Sequence, residues 1–157
     1  MTILNWKKFF AVAVCITTLA ACSESSNHEE RITASMNEME IAVQERDVRA
    51  FMDKIHTNYS DSDGRSWKEI RGLTQLQILR NKNLHIFKVV KNVNVQETTA
   101  DVMVFVAVAG QPIADASSLA GLNAELLRFD LTWELQDDEW QVISADWRRI
   151  QAQDFLL

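Results

Sequence analysis

Proline, glycine and cysteine are all scarce in this chain. It has one Pro, four Gly and two Cys among 157 residues. Four glycines leave little material for a Gly-rich loop that cradles phosphate, and no such motif is present. Two cysteines allow one disulfide at most, so stability must come mainly from packing. The 47% of hydrophobic residues makes that possible.

Positive charge is also in short supply. The chain has 16 Lys and Arg against 22 Asp and Glu, a formal net charge of −6. Such an acidic protein lacks the electrostatic footprint of a nucleic-acid-binding protein. Its surface would not bind anionic lipid headgroups without a further anchor either. The composition therefore predicts no nucleic-acid partner.

Metal-binding and nucleophile motifs are missing as well. His28, His56 and His85 have no His, Cys or carboxylate at zinc-ligand spacing. The stretch 61–64 resembles the middle of an EF-hand loop, but Tyr59 and Ile70 stand where the first and last ligands should be. It is therefore predicted to be a turn. No Ser lies in a nucleophile elbow, so we expect no metal and no cofactor.

What the sequence does contain first is a secretory signal. Lys7 and Lys8 form a basic start, and an uncharged apolar run of 13 residues follows from Phe9 to Ala21. A bilayer-spanning helix needs about 20 apolar residues, so a transmembrane helix is disfavoured. The pattern predicts a signal peptide over residues 1–21.

The end of this run, Leu19-Ala20-Ala21-Cys22, resembles the lipobox of bacterial lipoproteins. The resemblance implies cleavage between Ala21 and Cys22, and a diacylglyceryl group on the Cys22 thiol. Ser23 at the next position resembles the family's signal for sorting to the outer membrane. Cys15 would leave with the signal, so no disulfide would remain. We expect a protein held on the periplasmic face of the outer membrane by lipid at Cys22, because two or more acyl chains anchor stably.

The remaining 136 residues are the size of one domain. We predict a polar, lipidated tether over 22–28, one domain over 29–150 and a short tail over 151–157. Apolar residues at spacings of three and four predict three helices, near 29–45, 47–55 and 66–80. Asp47 and Ser66 are their N-cap candidates, and Glu69 completes a capping box with Ser66.

Four strands follow in the second half of the domain. Period-two segments over 84–96, 100–109, 125–136 and 140–150 predict an antiparallel meander. Turns are expected at 97–99 and 137–139, with a longer loop over 110–123. Three helices followed by such a meander indicate an α+β fold.

This order of elements, with the final hairpin from Phe129 to Trp147, resembles the NTF2-like (SnoaL-like) fold. That family folds a curved sheet around a helix to form a cone-shaped pocket. It includes isomerases, dehydratases and polyketide cyclases as well as binding modules without catalysis, so the resemblance alone does not choose a function.

Polar candidates for the pocket are few. Enzymes of this family use an Asp or His base and a Tyr or Asp acid in an apolar pocket. His56, Tyr59 and Asp146 are weak candidates here, and Arg148 or Arg149 is the expected structural partner of Asp146. Asp130 falls on the opposite strand face from Phe129 and is expected to point outwards. No catalytic residue is assigned.

The apolar candidates for the pocket are Trp67, Phe129, Trp133 and Trp147. A three-residue turn in the last hairpin would place Trp133 opposite Ile143 and Phe129 opposite Trp147. The aromatic rings would then line the cone or simply fill it, and the pattern leaves both arrangements open.

The functional prediction is a non-catalytic domain that binds a small apolar ligand or a partner. The alternative is an enzyme of the isomerase or dehydratase type, and a third possibility is an accessory subunit with a filled cone. The predicted strand segment 102–109 is apolar on both faces, so both faces of the sheet need to be covered. We therefore predict a homodimer through the outer face of the sheet, or else coverage of that face by the C-terminal tail.

Overall fold

A computed structural model describes the backbone of residues 20–156 and the side chains of residues 27–156. The helices are α1 (Ala20–Gln44), α2 (Val48–Met52) and α3 (Trp67–Arg80). The strands are β1 (His85–Gln96), β2 (Thr99–Ala109), β3 (Ala124–Gln136) and β4 (Glu139–Arg149). Two short 3-10 helices, Ala116–Gly121 and Ala152–Leu156, lie in segments predicted as loop and tail.

The four strands form one antiparallel sheet in the order β1-β2-β3-β4. The helices pack on its concave face, so the predicted α+β architecture of helices on a curved meander is confirmed. Both outer hairpins are tighter than expected, since two residues rather than three separate the paired ends. Glu97, Asp137 and Asp138 adopt positive φ there, because a two-residue hairpin turn needs left-handed backbone to match the twist of its strands.

The last hairpin contains a β-bulge that the sequence did not reveal. From the tight turn, Trp133 pairs with Val142, not with Ile143 as predicted. The register then shifts by one residue at Ile143, so that Phe129 pairs with Trp147 as expected. The turn is one residue shorter than predicted, and the bulge adds one unpaired residue to β4. The two changes cancel, so the pairs beyond the bulge are the predicted ones.

Helix α1 is longer than the predicted helix. Residues 22–28, predicted as a polar tether without an assigned conformation, are part of the helix that begins at Ala20. Residues 1–19 lie outside the described structure, and so does the signal segment predicted there. No helix within the described residues is long and apolar enough to cross a membrane.

The core on the concave face contains Ile32 and Met36 of α1, which are 0% and 4% exposed. It also contains Met52, Ile55 and buried strand residues including Trp133 and Val142. All residues of this core and of the smaller outer one lie between Ile32 and Phe155. A chain that begins at Ser23 therefore retains the complete core.

The outer face of the sheet is partly covered by the C-terminal tail. Phe155 is 4% exposed and contacts Phe87 and Phe105, next to buried Ala107. Leu119, from the long loop, completes this second cluster. The tail thus covers one end of the apolar outer face, and homodimerisation through that face stays a prediction for sedimentation to test.

Candidate functional site

A cavity of about 960 Å³ lies between the concave face of the sheet, α1 and α3. It is open to solvent, and most of its lining is apolar. Met39 and Val43 of α1 and Ile70 and Leu73 of α3 face the sheet across it. Leu73 remains 39% exposed, because the cavity separates this part of α3 from the sheet. The cone is therefore not filled by its own side chains.

The concave wall is built of rows that cross the four strands. Paired residues define each row, from the closed end of the cone to its mouth. The rows are Val93–Val102–Leu131–Ala145, then Val90–Val104–Phe129–Trp147, then Lys88–Val106–Leu127–Arg149. Side chains of paired residues project from the same face. The wall is thus apolar in its depth and carries two cations nearer the mouth.

Two of the four predicted aromatic residues line this cavity. Phe129 and Trp147 lie on its wall, with ring centroids 5.9 Å apart. Trp133 is 0% exposed and belongs to the closed core. Trp67 packs at the edge of that core, where its indole N–H donates to the Ile55 carbonyl at 3.2 Å. Neither Trp133 nor Trp67 is among the residues that line the cavity.

His56 lies away from the cavity. Segment 54–60 runs along the free edge of β4, and the His56 backbone N–H donates to the Val142 carbonyl at 2.9 Å. The His56 ring accepts a hydrogen bond at Nδ1 from the Asn58 N–H, 3.0 Å away. Its Nε2 must then carry the proton that is donated to Gln136 Oε1. The geometry gives His56 a structural role at this edge.

Tyr59 does reach the cavity, where it is 4% exposed. Its hydroxyl donates to Asp61 Oδ2 at 3.4 Å, and the Arg65 Nε donates to the same oxygen at 2.7 Å. Asp61 Oδ1 accepts the backbone N–H groups of Asp63 and Arg65. The guanidinium of Arg65 also lies 4.1 Å from the centre of the Trp147 ring. The predicted turn at 61–64 thus closes around one carboxylate.

These contacts shift two pKa values in opposite directions. Burial, followed by the charge of Asp61, raises the pKa of Tyr59 above its ordinary value, so the phenol stays protonated. Burial alone would raise the pKa of Asp61 too. The hydrogen bonds from the Arg65 side chain and backbone outweigh it and hold the pKa of Asp61 below its usual value. Tyr59 is a fixed donor rather than a proton-transfer group near neutral pH.

Asp146 is exposed and lies on the outer side of β4 relative to Trp147. Its carboxylate accepts a hydrogen bond from the Ser62 hydroxyl. The expected ion pair with Arg148 or Arg149 is not formed among the described residues, and Arg149 pairs with Glu125 instead. Asp130, also exposed, pairs with Arg128 at 2.6 Å, which matches its expected outward orientation.

Lys88, Glu40 and Arg65 are charged groups of the site that were not singled out from the sequence. Lys88 projects from the concave face of β1 and forms an ion pair with Glu40 of α1. Their side chains are only 15% and 24% exposed. The sequence did contain a signal for Lys88, because a lysine that alternates with Ile86 and Val90 lies on the apolar face of its strand. Arg65 gave none, because it is placed by the turn that precedes α3.

Within the described residues no group of three or more His, Cys, Asp or Glu side chains could hold a metal ion. The charged residues on the cavity side are Arg65, Lys88 and Arg149 with the carboxylates Glu40 and Glu125, whereas Arg148 is the strand partner of Arg128 and projects from the outer face of the sheet. Arg65 is paired with Asp61. Glu125 pairs with Arg149 at 3.2 Å, and Glu40 pairs with Lys88. Both carboxylates of the described cavity wall are thus engaged.

The fold matches solved structures of the NTF2-like class. An NTF2-like protein of Streptomyces avermitilis, provisionally named a dehydratase, superposes with a TM-score of 0.65 at 14% identity. The match covers 81% of this chain and 99% of that one. A Novosphingobium aromaticivorans protein, provisionally named a scytalone dehydratase, gives 0.67 at 11% identity over 83% and 89% of the two chains.

A Mycobacterium tuberculosis protein of unknown function gives a TM-score of 0.66 at 15% identity, over 89% of this chain and 82% of that one. No protein-family model matches the sequence, and neither does any curated protein. At these identities the likeness defines the fold, which is NTF2-like, and leaves the activity open.

Asp61 provides a pH-dependent test of the network at Tyr59. Asp61→Asn removes a buried charged acceptor and should cost about 1–3 kcal/mol of unfolding free energy at pH 7. The folded-state pKa of Asp61 is lowered, so its contribution is present above about pH 4 and is lost as the pH falls through the folded-state pKa. Urea unfolding at pH 7 and pH 3 should show the penalty shrinking in acid.

Asp63→Asn is the matched control, since Asp63 pairs with the same Arg65 but its side chain is 68% exposed. It should change stability little at either pH. A penalty for Asp61→Asn that grows in acid would contradict the assigned network.

Proposed function

We propose that this protein is a lipid-anchored, non-catalytic NTF2-like domain of the bacterial cell envelope that binds a small apolar ligand in its cone. The observation that carries the ligand-binding role is the open cavity of about 960 Å³. Small-molecule sites are typically apolar clefts of about 300–1,000 Å³ with a few polar groups that fix orientation. Tyr59 and the Lys88–Glu40 pair are polar groups of that kind.

The anchor comes from the lipobox and Ser23, which favour attachment through Cys22 on the periplasmic face of the outer membrane. The long helix α1 would then connect the lipid to the cavity, because it runs from Ala20 to Gln44 and lines the cone with Met36, Met39 and Val43. A ligand partitioning from the membrane would meet this cavity nearby.

The alternative, an isomerase or dehydratase, needs a general base that faces the substrate. Tyr59 is the hydroxyl at the cavity wall, but it donates its proton to Asp61 and its pKa is raised, so it does not supply the acid. Glu40 and Glu125, the carboxylates of the described wall, are each paired with a cation, and His56 lies outside the cavity. A binding function needs no free base and agrees with this pairing.

Ligand binding can be tested with an apolar probe and two substitutions on one helix. Leu73→Asp places a charge on the cavity side of α3, whereas Leu79→Asp places it on a site that is 65% exposed. N-phenyl-1-naphthylamine should bind the chain from Ser23 onward with increased emission. Leu73→Asp should weaken binding about tenfold, because it removes one apolar contact of about 1.5 kcal/mol.

Leu79→Asp should leave the affinity unchanged, and Trp147 emission should change on binding because its ring lines the cavity. Equal effects of the two substitutions would place the probe outside the cone. No binding at all would favour the accessory role of the domain over ligand binding.

A further inference from the structure

The exposed apolar side chains of this protein lie mainly on its helices. Five large hydrophobic side chains of the described residues are exposed, and four of them belong to α1 and α3. These four are Ile41, Leu73, Leu76 and Leu79, with exposed fractions of 52%, 39%, 40% and 65%. Leu73 borders the cavity, whereas Ile41, Leu76 and Leu79 do not. The last three therefore lie on the outward side of the helices, away from the cavity.

The outward side of α3 is apolar and basic. Leu76 and Leu79 lie near Gly72, where an added Cβ would meet no atom within 4 Å. The exposed cations of this helix are Lys68, Arg71 and Arg80. None of them forms an ion pair within the described residues. Glycine weakens a helix interior, but here it leaves room for another helix to approach closely.

The outward side of α1 is acidic instead. Exposed residues recur along it at spacings of three and four, which places them on one face of the helix. They are Glu30, Ala34, Asn37, Glu38, Ile41 and Glu45. Glu45 continues the helical pattern, since its N–H donates to the Ile41 carbonyl at 2.8 Å. Glu38 pairs with Lys54 at 2.5 Å, whereas Glu30 and Glu45 form no ion pair in the described part of the chain.

These two outward sides complement each other in charge. Both helices lie on the concave side of the sheet, so their outward sides form one surface, here called the helical face. A two-fold axis between α1 and α3 places α3 of each copy on α1 of the other, so both contacts form at once. The cations of α3 then meet the glutamates of α1, and Leu76 and Leu79 become buried against Ala34 and Ile41. We infer that the helical face is a dimer interface, with a second copy of this chain as the partner.

Two other arrangements fit these surfaces less well. An anionic lipid surface would attract the cations of α3 but repel Glu30, Glu38 and Glu45 on the same face. The outer face of the sheet has one apolar end, which Phe155 already covers. Elsewhere that face carries charged residues of β3 and β4. A second copy of the chain satisfies the cations and the carboxylates of the helical face together.

Sedimentation of the chain from Ser23 onward tests this interface without any ligand. The wild type should dimerise at micromolar concentration, and its dissociation constant should rise severalfold in high salt, because salt screens surface charges. Leu79→Asp should raise the dissociation constant about tenfold, since it places a carboxylate against the acidic side of α1. Gly72→Gln should also weaken the dimer but raise the melting temperature of the monomer, because glutamine is the better helix former. That combination separates a blocked interface from misfolding.

Charge reversal tests whether α3 of one copy meets α1 of the other. One variant combines Lys68→Glu with Arg71→Glu on α3, and a second combines Glu30→Lys with Glu45→Lys on the acidic side of α1. Each variant alone should be monomeric, because like charges then face each other. An equal mixture should form a mixed dimer, since opposite charges meet again in both contacts. A mixture that stays monomeric would overturn the assigned pairing.

Met103→Arg is the control on the outer face of the sheet, where Met103 lies opposite Asp130. It should leave the dimer intact. Loss of the dimer in Met103→Arg with retention in Leu79→Asp would assign the interface to the outer face and overturn the inference. A wild-type chain that stays monomeric would overturn it too, and binding of that monomer to phosphatidylglycerol vesicles would assign the helical face to lipid.

The proposed function is tested separately from this interface, because Leu79 lies outside the cavity. Leu79→Asp should therefore lose the dimer and bind N-phenyl-1-naphthylamine as the wild type does. Absence of probe binding in a dimeric wild type would remove the ligand-binding function and leave the interface standing.

Discussion

Trp133→Ala is expected to lower the free energy of unfolding by about 3–5 kcal/mol, the range for truncating a buried aromatic side chain. Trp133 is 0% exposed and lies in the main core. Its neighbours belong to three strands and to the helical layer, which cannot collapse around the void without moving the sheet. Urea unfolding of the chain from Ser23 onward, followed by circular dichroism, measures this loss.

Two variants make that measurement specific. Trp147→Ala should cost clearly less, since the Trp147 ring borders the open cavity and is only half buried. Trp133→Phe should also cost less than Trp133→Ala. It keeps a ring in the core and loses no hydrogen bond, because the Trp133 Nε1 has no partner within the described structure. Equal losses for Trp133→Ala and Trp147→Ala would mean that the cone is packed rather than open.

Cys22→Ser is expected to abolish lipid attachment at this position. The lipobox predicts that the Cys22 thiol carries diacylglycerol. A serine has no thiol, so the lipid should not be attached, and the cleavage that depends on the lipid should not occur. Since a single weak membrane signal gives only reversible binding, nearly all of the variant should appear as released or unprocessed chain. Fractionation of cells expressing the two proteins gives the distribution, and mass spectrometry identifies the N-terminal residue.

Cys15→Ser is the matched control, because Cys15 is predicted to leave with the signal peptide. It should leave anchoring unchanged. The lipid-anchor hypothesis would be wrong if the wild-type chain were recovered as a soluble, cleaved and unmodified product beginning at a residue other than Cys22.

The sequence predicted most elements because their signals are local. The capping box at the start of α3 is formed, with the Ser66 N–H donating to Glu69 at 2.7 Å. Asp47 likewise caps α2 by accepting the Ala50 N–H at 2.9 Å. Alternation along β3, together with the strand-length segments around it, gave the antiparallel meander. Such patterns depend on neighbours within one or two turns of chain, so they are legible without the fold.

Positions that depend on pairing between distant segments were predicted less well. The two-residue turn changed the partner of Trp133 to Val142, and the bulge at Ile143 then restored the predicted register. Neither the turn length nor the bulge is visible in the sequence pattern of the two strands. Trp67 and Trp133 were candidates for the cavity because of their size and strand or helix face. In the folded protein Trp133 lies in the core and Trp67 packs beside it, so neither ring lines the cavity.

The sequence by itself determined the charge balance, the scarcity of cysteine, the predicted lipid signal and the order of helices and strands, because these are composition or local pattern. The tertiary structure decided that the cone is open, that Tyr59 reaches it while His56 does not, and that Lys88 and Arg149 end the same row. Those facts depend on sheet curvature, on strand register and on where α3 lies across the cavity. Each is set by contacts between residues far apart in the chain, and the lysine in β1 meets the glutamate of α1 only once the sheet has curved around that helix.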